Sequence, residues 1–268
     1  MAREIAPGFH WIQECGGDLT IDVDLPEGEN APEWHDPGSE IHIGQCAYLL
    51  SGDRSLLFDT LSPANTEQIR SELDDLLDDG LDYLVVSHPD VPHAGNTFPL
   101  LEAYPEATLV APGYGEDHEL YHLEDAMHVV EGDSIDLGGF TVDFHEATFL
   151  DAAMHLWMSE RETNTLFPVD WFGFPHNESE CHRFVDEFDR PLSVDRLLQF
   201  HGRVLFWLQY VDVEKTNAEI DRITDRFDPD VIAPAHGCVV RENANEYMRS
   251  VKRVVEQIAA DGRVGILG

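Results

Sequence analysis

The segment spanning residues 84–96 constrains the fold most, because a short apolar run leads directly into three potential metal ligands. Residues 84–86 have the length and β-branched content of a buried strand. His88, Asp90 and His93 follow, and Pro92 presets the φ angle of a first helical turn. The pattern predicts a strand, a loop and a helix start, with the ligands at a strand end, where α/β folds collect metals. Taken alone, the same residues also fit a strand end, a turn and an ordinary helical histidine.

Residues 85–96 resemble the metal-binding loop of the metallo-β-lactamase superfamily, usually written His-x-His-x-Asp-His. Further pieces occur in the order of that family, between about Cys46 and Cys238. They are a strand ending in Asp59 and Thr60, His155 after a strand, Asp170 at the end of another strand, and a last strand ending in His236. The resemblance implies an α/β fold, an αββα sandwich in which two mixed β-sheets pack face to face with helices outside.

One branch of that superfamily fits best, the di-iron core of flavodiiron proteins. Asp90 supplies a carboxylate at the second motif position, and residues 170–173 read Asp-Trp-Phe-Gly, as that core does. The resemblance implies that one metal takes His88, Asp90 and His155, that a second takes His93 and His236, and that Asp170 bridges them. Asp59 then supports the site without binding a metal. Two departures stand out: Asp90 is one methylene shorter than the usual glutamate, and Pro92 replaces an aspartate ligand.

Mixed imidazole and carboxylate donors suit iron or manganese at least as well as zinc. We therefore expect two metal ions, with iron favoured, and a protein that binds or reduces O2 or NO. Flavodiiron proteins carry a flavodoxin domain after the core, and this chain ends at Gly268. We expect no flavin domain here and a separate electron-transfer protein as partner.

Two other functions stay open. A metal-dependent hydrolase would attack a thioester, ester or lactone with metal-bound hydroxide. Alternatively, Pro92 leaves the second metal position short of ligands, which would make the chain a mononuclear or non-catalytic relative.

The composition is strongly acidic, with 53 Asp and Glu against 16 Lys and Arg and a net charge of −37. Excess carboxylates spread over the whole length are typical of halophiles, whose proteins stay soluble in concentrated salt. Such a charge excludes nucleic acid and anionic membranes as main ligands. Since neither a signal-peptide core nor a membrane-spanning run is visible, we expect a soluble, cytoplasmic protein. Analogy with flavodiiron cores suggests a homo-oligomer.

We predict one domain over residues 1–268. Residues 16–40 read as a long polar loop or hairpin, and residues 175–182 as a solvated, acid-rich loop over the site. The four cysteines, Cys15, Cys46, Cys181 and Cys238, are so widely spaced that neither a zinc ribbon nor a disulfide framework is indicated. An edge strand is predicted at residues 5–15, and helices at about 63–79, 96–104, 115–125, 195–210, 217–226 and 243–260.

Overall fold

The structure, a computed structural model, describes residues 2–15, 20–21, 32–113, 126–151 and 154–262. Its strands are β1 (Ala2–Ala6), β2 (Phe9–Glu14), β3 (Thr20–Ile21), β4 (Ile41–His42), β5 (Gln45–Ser51), β6 (Ser55–Phe58), β7 (Tyr83–Val85), β8 (Thr108–Pro112), β9 (Met127–Val129), β10 (Ser134–Asp136), β11 (Thr141–Glu146), β12 (Leu156–Glu160), β13 (Thr165–Phe167), β14 (His176–Asn177) and β15 (Val231–Ile232). Its α-helices are α1 (Thr66–Leu76), α2 (Val91–Ala94), α3 (Thr97–Ala103), α4 (Val194–Val204), α5 (Val213–Phe227) and α6 (Ala244–Asp261). None of these helices combines the length and the apolar character needed to cross a membrane.

The chain forms two compact units, each assembled from two separated segments. Unit 1 comprises Met1–Glu14 and Gln45–Phe167, and unit 2 comprises Cys15–Gly44 and Pro168–Gly268. The prediction of one domain over residues 1–268 stays a prediction.

Unit 1 contains a mixed sheet of seven strands in the order β1-β2-β5-β6-β7-β8-β9. β1, β2, β5 and β6 pair antiparallel, whereas β6, β7, β8 and β9 run parallel. A second sheet contains the antiparallel strands β10 to β13. The parallel strands β6 and β7 end beside one another. Asp59, the predicted supporting residue, follows β6, and the predicted ligand His88 lies shortly after β7.

The two faces of the seven-stranded sheet in unit 1 are both buried. On the inner face, the aromatic rings of Phe9, Tyr48 and Phe58 contact Phe167 of the second sheet, with ring centroids 5.2–5.7 Å apart. On the outer face, Ile69 and Leu73 of α1 join a core with alternate residues of the strands, which include Ala47 and Leu49. The predicted α/β class, with two sheets packed face to face and a helix outside, is confirmed.

Most predicted elements of unit 1 are present. The predicted helix at 63–79 contains α1, preceded by a 3₁₀ turn at Pro63–Asn65, and the helix at 96–104 is α3. The prediction of an edge strand at residues 5–15 is wrong, because β1 occupies the edge and β2 lies between β1 and β5. Gly8, with φ of +79°, turns the chain between the two strands at a point where a Cβ atom would clash with the Ser51 carbonyl. The helix predicted at 115–125 lies outside the described residues.

Unit 2 contains α4, α5 and α6 and a small ribbon of strands in the order β14-β4-β3. The inward face predicted for α6 is confirmed, since the side chains of Met248, Val251, Val254, Val255 and Ile258 are buried. The prediction of one helix over residues 195–210 is correct only in part, because α4 ends at Val204 and a 3₁₀ turn follows at Phe206–Tyr210. α5 is longer than the predicted 217–226, because Asp212 caps its start through a hydrogen bond from the Lys215 backbone N–H.

Two loop predictions fall in unit 2. Within residues 16–40, β3 pairs with β4, which lies just beyond that range, while residues 16–19 and 22–31 lie outside the described chain, so the loop or hairpin stays a prediction. The prediction of a solvated loop at 175–182 is wrong, because His176, Asn177 and Glu180 are at most 5 % exposed. The acidic composition misled the prediction, since Glu180 is neutralised by a buried arginine, Arg196.

Candidate metal centre

Three buried histidines come together in unit 1. His88 follows β7, His93 lies in α2, and His155 directly precedes β12. The ring centroids of His88 and His93 are 4.0 Å apart, and those of His88 and His155 are 4.3 Å apart. None of the three is more than 2 % exposed. The predicted histidine ligands of this half of the chain are therefore neighbours in space, although His155 is far from the other two in sequence.

Asp59 anchors the first two histidine-bearing segments. Its carboxylate accepts hydrogen bonds from the Ser87 backbone N–H at 2.9 Å and from the Ser87 hydroxyl at 3.1 Å. The same carboxylate lies 2.7 Å from Nδ1 of His93. Because a carboxylate only accepts, Nδ1 of His93 carries the proton and Nε2 keeps the lone pair that a metal requires.

Two aspartates lie near the histidines of unit 1. The carboxylate of Asp151 is 3.2 Å from His155 Nδ1 and 3.8 Å from His88 Nε2, and its side chain is 17 % exposed. Asp90, the predicted ligand, also lies 3.8 Å from His88 Nε2, but its side chain is 55 % exposed. Ligand atoms of His88, Asp151 and His155 lie within 4.8 Å of one another, so Asp151 is a candidate ligand that the sequence reasoning missed. The available signal was its position four residues before His155 in the same loop.

Pro92 occupies the second position of α2, where its ring fits the first helical turn. Its side chain offers no donor atom, so the position that the family fills with an aspartate ligand contributes none here.

Unit 2 brings the predicted ligands Asp170 and His236 together. Oδ1 of Asp170 lies 3.1 Å from Nε2 of His236, and both side chains are buried. Nδ1 of His236 lies 3.0 Å from the Gly44 carbonyl oxygen, which only accepts hydrogen bonds, so Nδ1 is the donor. In the neutral ring, Nε2 then presents a lone pair to a carboxylate oxygen. Two electron-rich atoms at this distance fit a shared cation, which is the arrangement that a metal ion satisfies.

The segment after Asp170 is held by the helix α4. The buried His201 donates from Nδ1 to the Leu197 carbonyl at 2.8 Å and accepts from the Phe172 backbone N–H at 3.0 Å. Burial lowers the pKa of His201 to about 4, so this ring is neutral and serves as a structural link. Gly173 is required because a Cβ atom there would lie 2.5 Å from the Phe200 ring.

Four of the nine non-glycine residues with positive φ in the described part of the chain lie at or beside the predicted site residues. Positive φ angles occur at Asp59 (63°), Met154 (65°), Val169 (56°) and Phe172 (75°), which precede, follow or include the predicted site residues. Val169 is β-branched and is therefore a true outlier in this region. Each such residue costs on the order of 1–3 kcal/mol and typically persists where function requires the geometry.

Each unit, taken by itself, thus offers imidazole and carboxylate donors that fit a metal ion. His93 and His236 each have one ring nitrogen fixed by an acceptor, which orients the other nitrogen as a ligand. Such a donor set accommodates iron, manganese or zinc.

Comparisons with known proteins identify the family to which the chain belongs. Residues 43–239 match the family described as the metallo-beta-lactamase superfamily. A nitric oxide reductase from Moorella thermoacetica is 27 % identical over 234 residues, which cover 85 % of this chain and 57 % of the relative. The chain thus spans little more than half the length of that curated relative.

Solved structures show the same fold. Rubredoxin oxygen:oxidoreductase from Desulfovibrio gigas aligns with a TM-score of 0.73 at 22 % identity, covering 96 % of this chain and 62 % of that chain. A flavodiiron core from Synechocystis aligns with a TM-score of 0.73 at 19 % identity, covering 97 % and 62 %. The predicted resemblance to flavodiiron cores is confirmed at the level of the fold. Because the family match extends over well more than half of the sequence, this chain belongs to the metallo-β-lactamase superfamily.

Proposed function

We propose that this chain binds two metal ions, with iron favoured over zinc or manganese, and that the loaded protein binds or reduces O2 or NO. The observation that carries the proposal is the buried histidine cluster of unit 1, in which Asp59 fixes the ring of His93. Three imidazoles this close together, with carboxylates beside them, are a donor set that suits iron, manganese or zinc.

The proposed ligands are the predicted ones. His88, Asp90 and His155 serve one ion, His93 and His236 serve the other, and Asp170 is shared between them. Asp151 is added as an alternative to Asp90, because its carboxylate reaches both His88 and His155. This assignment rests on the order of the motifs in the superfamily and on the contacts within each unit.

The chain's own residues orient the ligands and exclude water. Asp59 holds the His93 ring and makes its Nε2 more basic. In unit 2, the ring of Phe200 packs on His236 at a centroid distance of 5.3 Å, which limits the directions that this ligand can take. When bound, two ferrous ions would supply electrons and open coordination positions to a diatomic gas.

The electrons would come from a separate redox protein. The relatives that support this part of the proposal are a nitric oxide reductase and a rubredoxin oxygen:oxidoreductase, whose names state a gas substrate and, in one case, a rubredoxin. The acidic surface implied by a net charge of −37 favours a partner with a basic docking face or one that binds in high salt.

The decisive measurement is metal content by elemental mass spectrometry, on untagged protein produced anaerobically in high salt. We expect about two irons per chain, and rapid consumption of O2 or NO after chemical reduction. His93→Ala should lose iron and gas consumption together. His145→Gln is the matched control, because His145 is also a buried histidine of unit 1 but bonds Ser159 instead of lying in the cluster.

Iron-loaded protein that leaves both gases untouched would overturn the redox part of the proposal. A single zinc per chain with hydrolysis of thioesters, esters or lactones would favour the hydrolase instead. If the wild-type protein and the His145→Gln control contained no metal under these conditions, the chain would be a non-catalytic relative.

A further inference from the structure

A second group of metal-ligating side chains lies entirely within unit 2. It consists of Cys15, His42, His176 and Cys181, which we call the cysteine–histidine cluster. One ligand atom from each residue lies within 4.8 Å of every other. These residues come from four places: the residue directly after β2, the strand β4, the strand β14 and the turn after β14.

The sulfur and nitrogen atoms of the cluster have the spacing of a tetrahedral site. Sγ of Cys15 lies 3.0 Å from His176 Nε2 and 3.5 Å from His42 Nδ1. Sγ of Cys181 lies 3.3 Å from His42 Nδ1 and 3.6 Å from His176 Nε2. With zinc–sulfur bonds of about 2.3 Å and zinc–nitrogen bonds of about 2.0 Å, tetrahedral geometry separates neighbouring sulfur and nitrogen atoms by about 3.5 Å.

The fold holds both histidines in place before any ion binds. His42 and His176 are direct partners in the antiparallel pair of β4 and β14. Asn177 and Glu180 form a capping box that shapes the turn leading to Cys181. Glu180 is in turn fixed by the buried guanidinium of Arg196, at 3.0 Å. The ligand-bearing backbone therefore rests on regular structure.

A disulfide explains why the two cysteines lie together, but it does not explain why two buried histidines face them. The structure joins Cys15 and Cys181 as a disulfide, with Cα atoms 6.1 Å apart. His176 is fully buried, and within the described residues its hydrogen-bonding neighbours are the two sulfur atoms, which are weak partners. Burying two imidazoles against a disulfide costs solvation energy that sulfur does not return.

The outer nitrogen of His42 supports a metal more directly. Its Nε2 lies 3.5 Å from the carboxylate of Glu40, while its Nδ1 faces the sulfurs. At this distance the contact is an ion pair and not a hydrogen bond, but it places a carboxylate behind the ring, as is common for metal-bound imidazoles.

We propose that the cysteine–histidine cluster binds one zinc ion when its cysteines are reduced, as a closed structural site distinct from the proposed gas-reducing centre. Two thiolates and two imidazoles are a complete tetrahedral donor set for zinc, with no open position for a substrate. The two thiolates also neutralise the ion's charge. The proposal is independent of the proposed function, because the two sets of ligands share no residue.

The disulfide and the zinc site are alternative states of the same two sulfurs. A dithiol reductant supplies two electrons and two protons, and the disulfide becomes two thiols. Zinc then displaces both thiol protons and forms two zinc–sulfur and two zinc–nitrogen bonds. An added disulfide oxidant takes up two electrons and two protons and becomes two thiols, while the Cys15–Cys181 bond re-forms and the ion is released.

The test uses the full chain, reduced anaerobically with a dithiol and dialysed against zinc or cobalt. We expect about one zinc per chain to depend on the cluster, in addition to any metal that is bound at other sites. Cys15→Ser/Cys181→Ser should lose that ion completely, whereas Cys46→Ala, which removes a buried cysteine outside the cluster, should keep it. Circular dichroism checks that each variant is folded.

Cobalt gives a second readout that needs no variant. Cobalt bound by two thiolates produces a sulfur-to-metal charge-transfer band and intense tetrahedral d–d absorption. The proposed gas-reducing centre contains no cysteine and cannot give this band. Reduced wild-type protein with cobalt present and no thiolate band, or zinc content equal in the wild type and the double variant, would overturn the proposal. If the wild-type protein bound no iron but its reduced form still gave the thiolate band with cobalt, only the proposed function would be rejected.

Discussion

His93 and His236 illustrate how single residues define the candidate centre. Each ring has Nδ1 fixed by an oxygen that only accepts, the Asp59 carboxylate in one case and the Gly44 carbonyl in the other. The remaining nitrogen is then available to a metal without any change of tautomer. Residue identity alone does not contain this information, because it depends on which acceptor the fold places behind the ring.

The choice between Asp90 and Asp151 is testable at this scale. We expect Asp151→Asn to reduce iron content strongly, because its carboxylate is mostly buried and reaches both His88 and His155. Asp90→Asn should have a smaller effect, since an exposed carboxylate is solvated already. Iron per chain, measured in both variants by elemental analysis, decides the question. The reverse order would restore Asp90 as the sole carboxylate partner of His88.

His201 predicts a pH dependence of stability. Its pKa in the folded protein is about 4, below its ordinary value of 6.5, because burial disfavours the charged ring. Between these values the unfolded chain binds a proton that the folded chain does not, so stability falls as pH drops from 6.5 towards 4. From pH 7 to pH 5 this group should cost about 2 kcal/mol.

His201→Gln should remove that dependence, since glutamine can replace both hydrogen bonds without titrating. Urea unfolding of both proteins at the two pH values gives the difference in slope. Because all other titrating groups are shared, equal pH dependence in the two proteins would contradict the assignment.

At the scale of residues, the sequence predicted the histidines better than their partners. His88, His93 and His155 carry a recognisable order in the chain, and they do lie together in unit 1. Asp151 was missed because its position four residues before His155 does not by itself show that the fold turns its carboxylate towards the histidines. The cysteine–histidine cluster escaped because the pairing of β4 with β14 creates it, and no short spacing marks it.

Among the elements, α4 and the turn at Glu178–Glu180 depend on each other. The guanidinium of Arg196, on α4, lies 3.0 Å from the carboxylate of Glu180 and is 4.8 Å from the centre of the Trp34 ring. Both charged groups are buried. The pair connects the helix, the turn and the chain segment around Trp34.

Glu180→Gln should therefore destabilise the protein by about 3–5 kcal/mol, because it leaves the Arg196 guanidinium buried without a counter-charge. Arg222→Gln is the control, since its ion pair with Glu219 is exposed and should contribute less than about 1 kcal/mol. Chemical unfolding of both variants provides the comparison. A Glu180→Gln protein as stable as the control would show that the pair adds nothing.

Helical periodicity predicted the elements that pack one face on a core, as α1 and α6 show. Composition, by contrast, failed for the segment at 175–182, where acidic residues suggested solvent exposure. Only the tertiary structure supplies the arginine that makes Glu180 a buried residue. Helical periodicity also predicted too long a helix after residue 194, because apolar residues continue from α4 into the 3₁₀ turn.

For the whole molecule, charge dominates the expected behaviour. With a net charge of −37, repulsion between carboxylates opposes folding at low salt. We expect the melting temperature to rise by more than about 3 °C when the salt concentration increases from about 0.1 M to about 1 M, where the screening length falls to about 3 Å. Sucrose at equal osmolarity is the control, because it does not screen charge. Equal melting temperatures at both salt concentrations would reject this explanation of the composition.

The sequence predicted the fold class and the family because the motifs occur in order along the chain. It gave no signal that the N-terminal segment Cys15–Gly44 belongs with Pro168–Gly268 in one compact unit. That association depends on contacts between residues more than a hundred positions apart, such as Asn177 with Trp34.

Cys15 and Cys181 are separated by 166 positions, and the chain between them includes the whole of Gln45–Phe167. A bond through their sulfurs therefore joins the two chain segments that precede and follow this stretch. A protease that cut the backbone anywhere within it would produce two pieces that remain one particle. With the disulfide formed, such nicked protein would run as one band in a denaturing gel without reductant and as two bands after reduction.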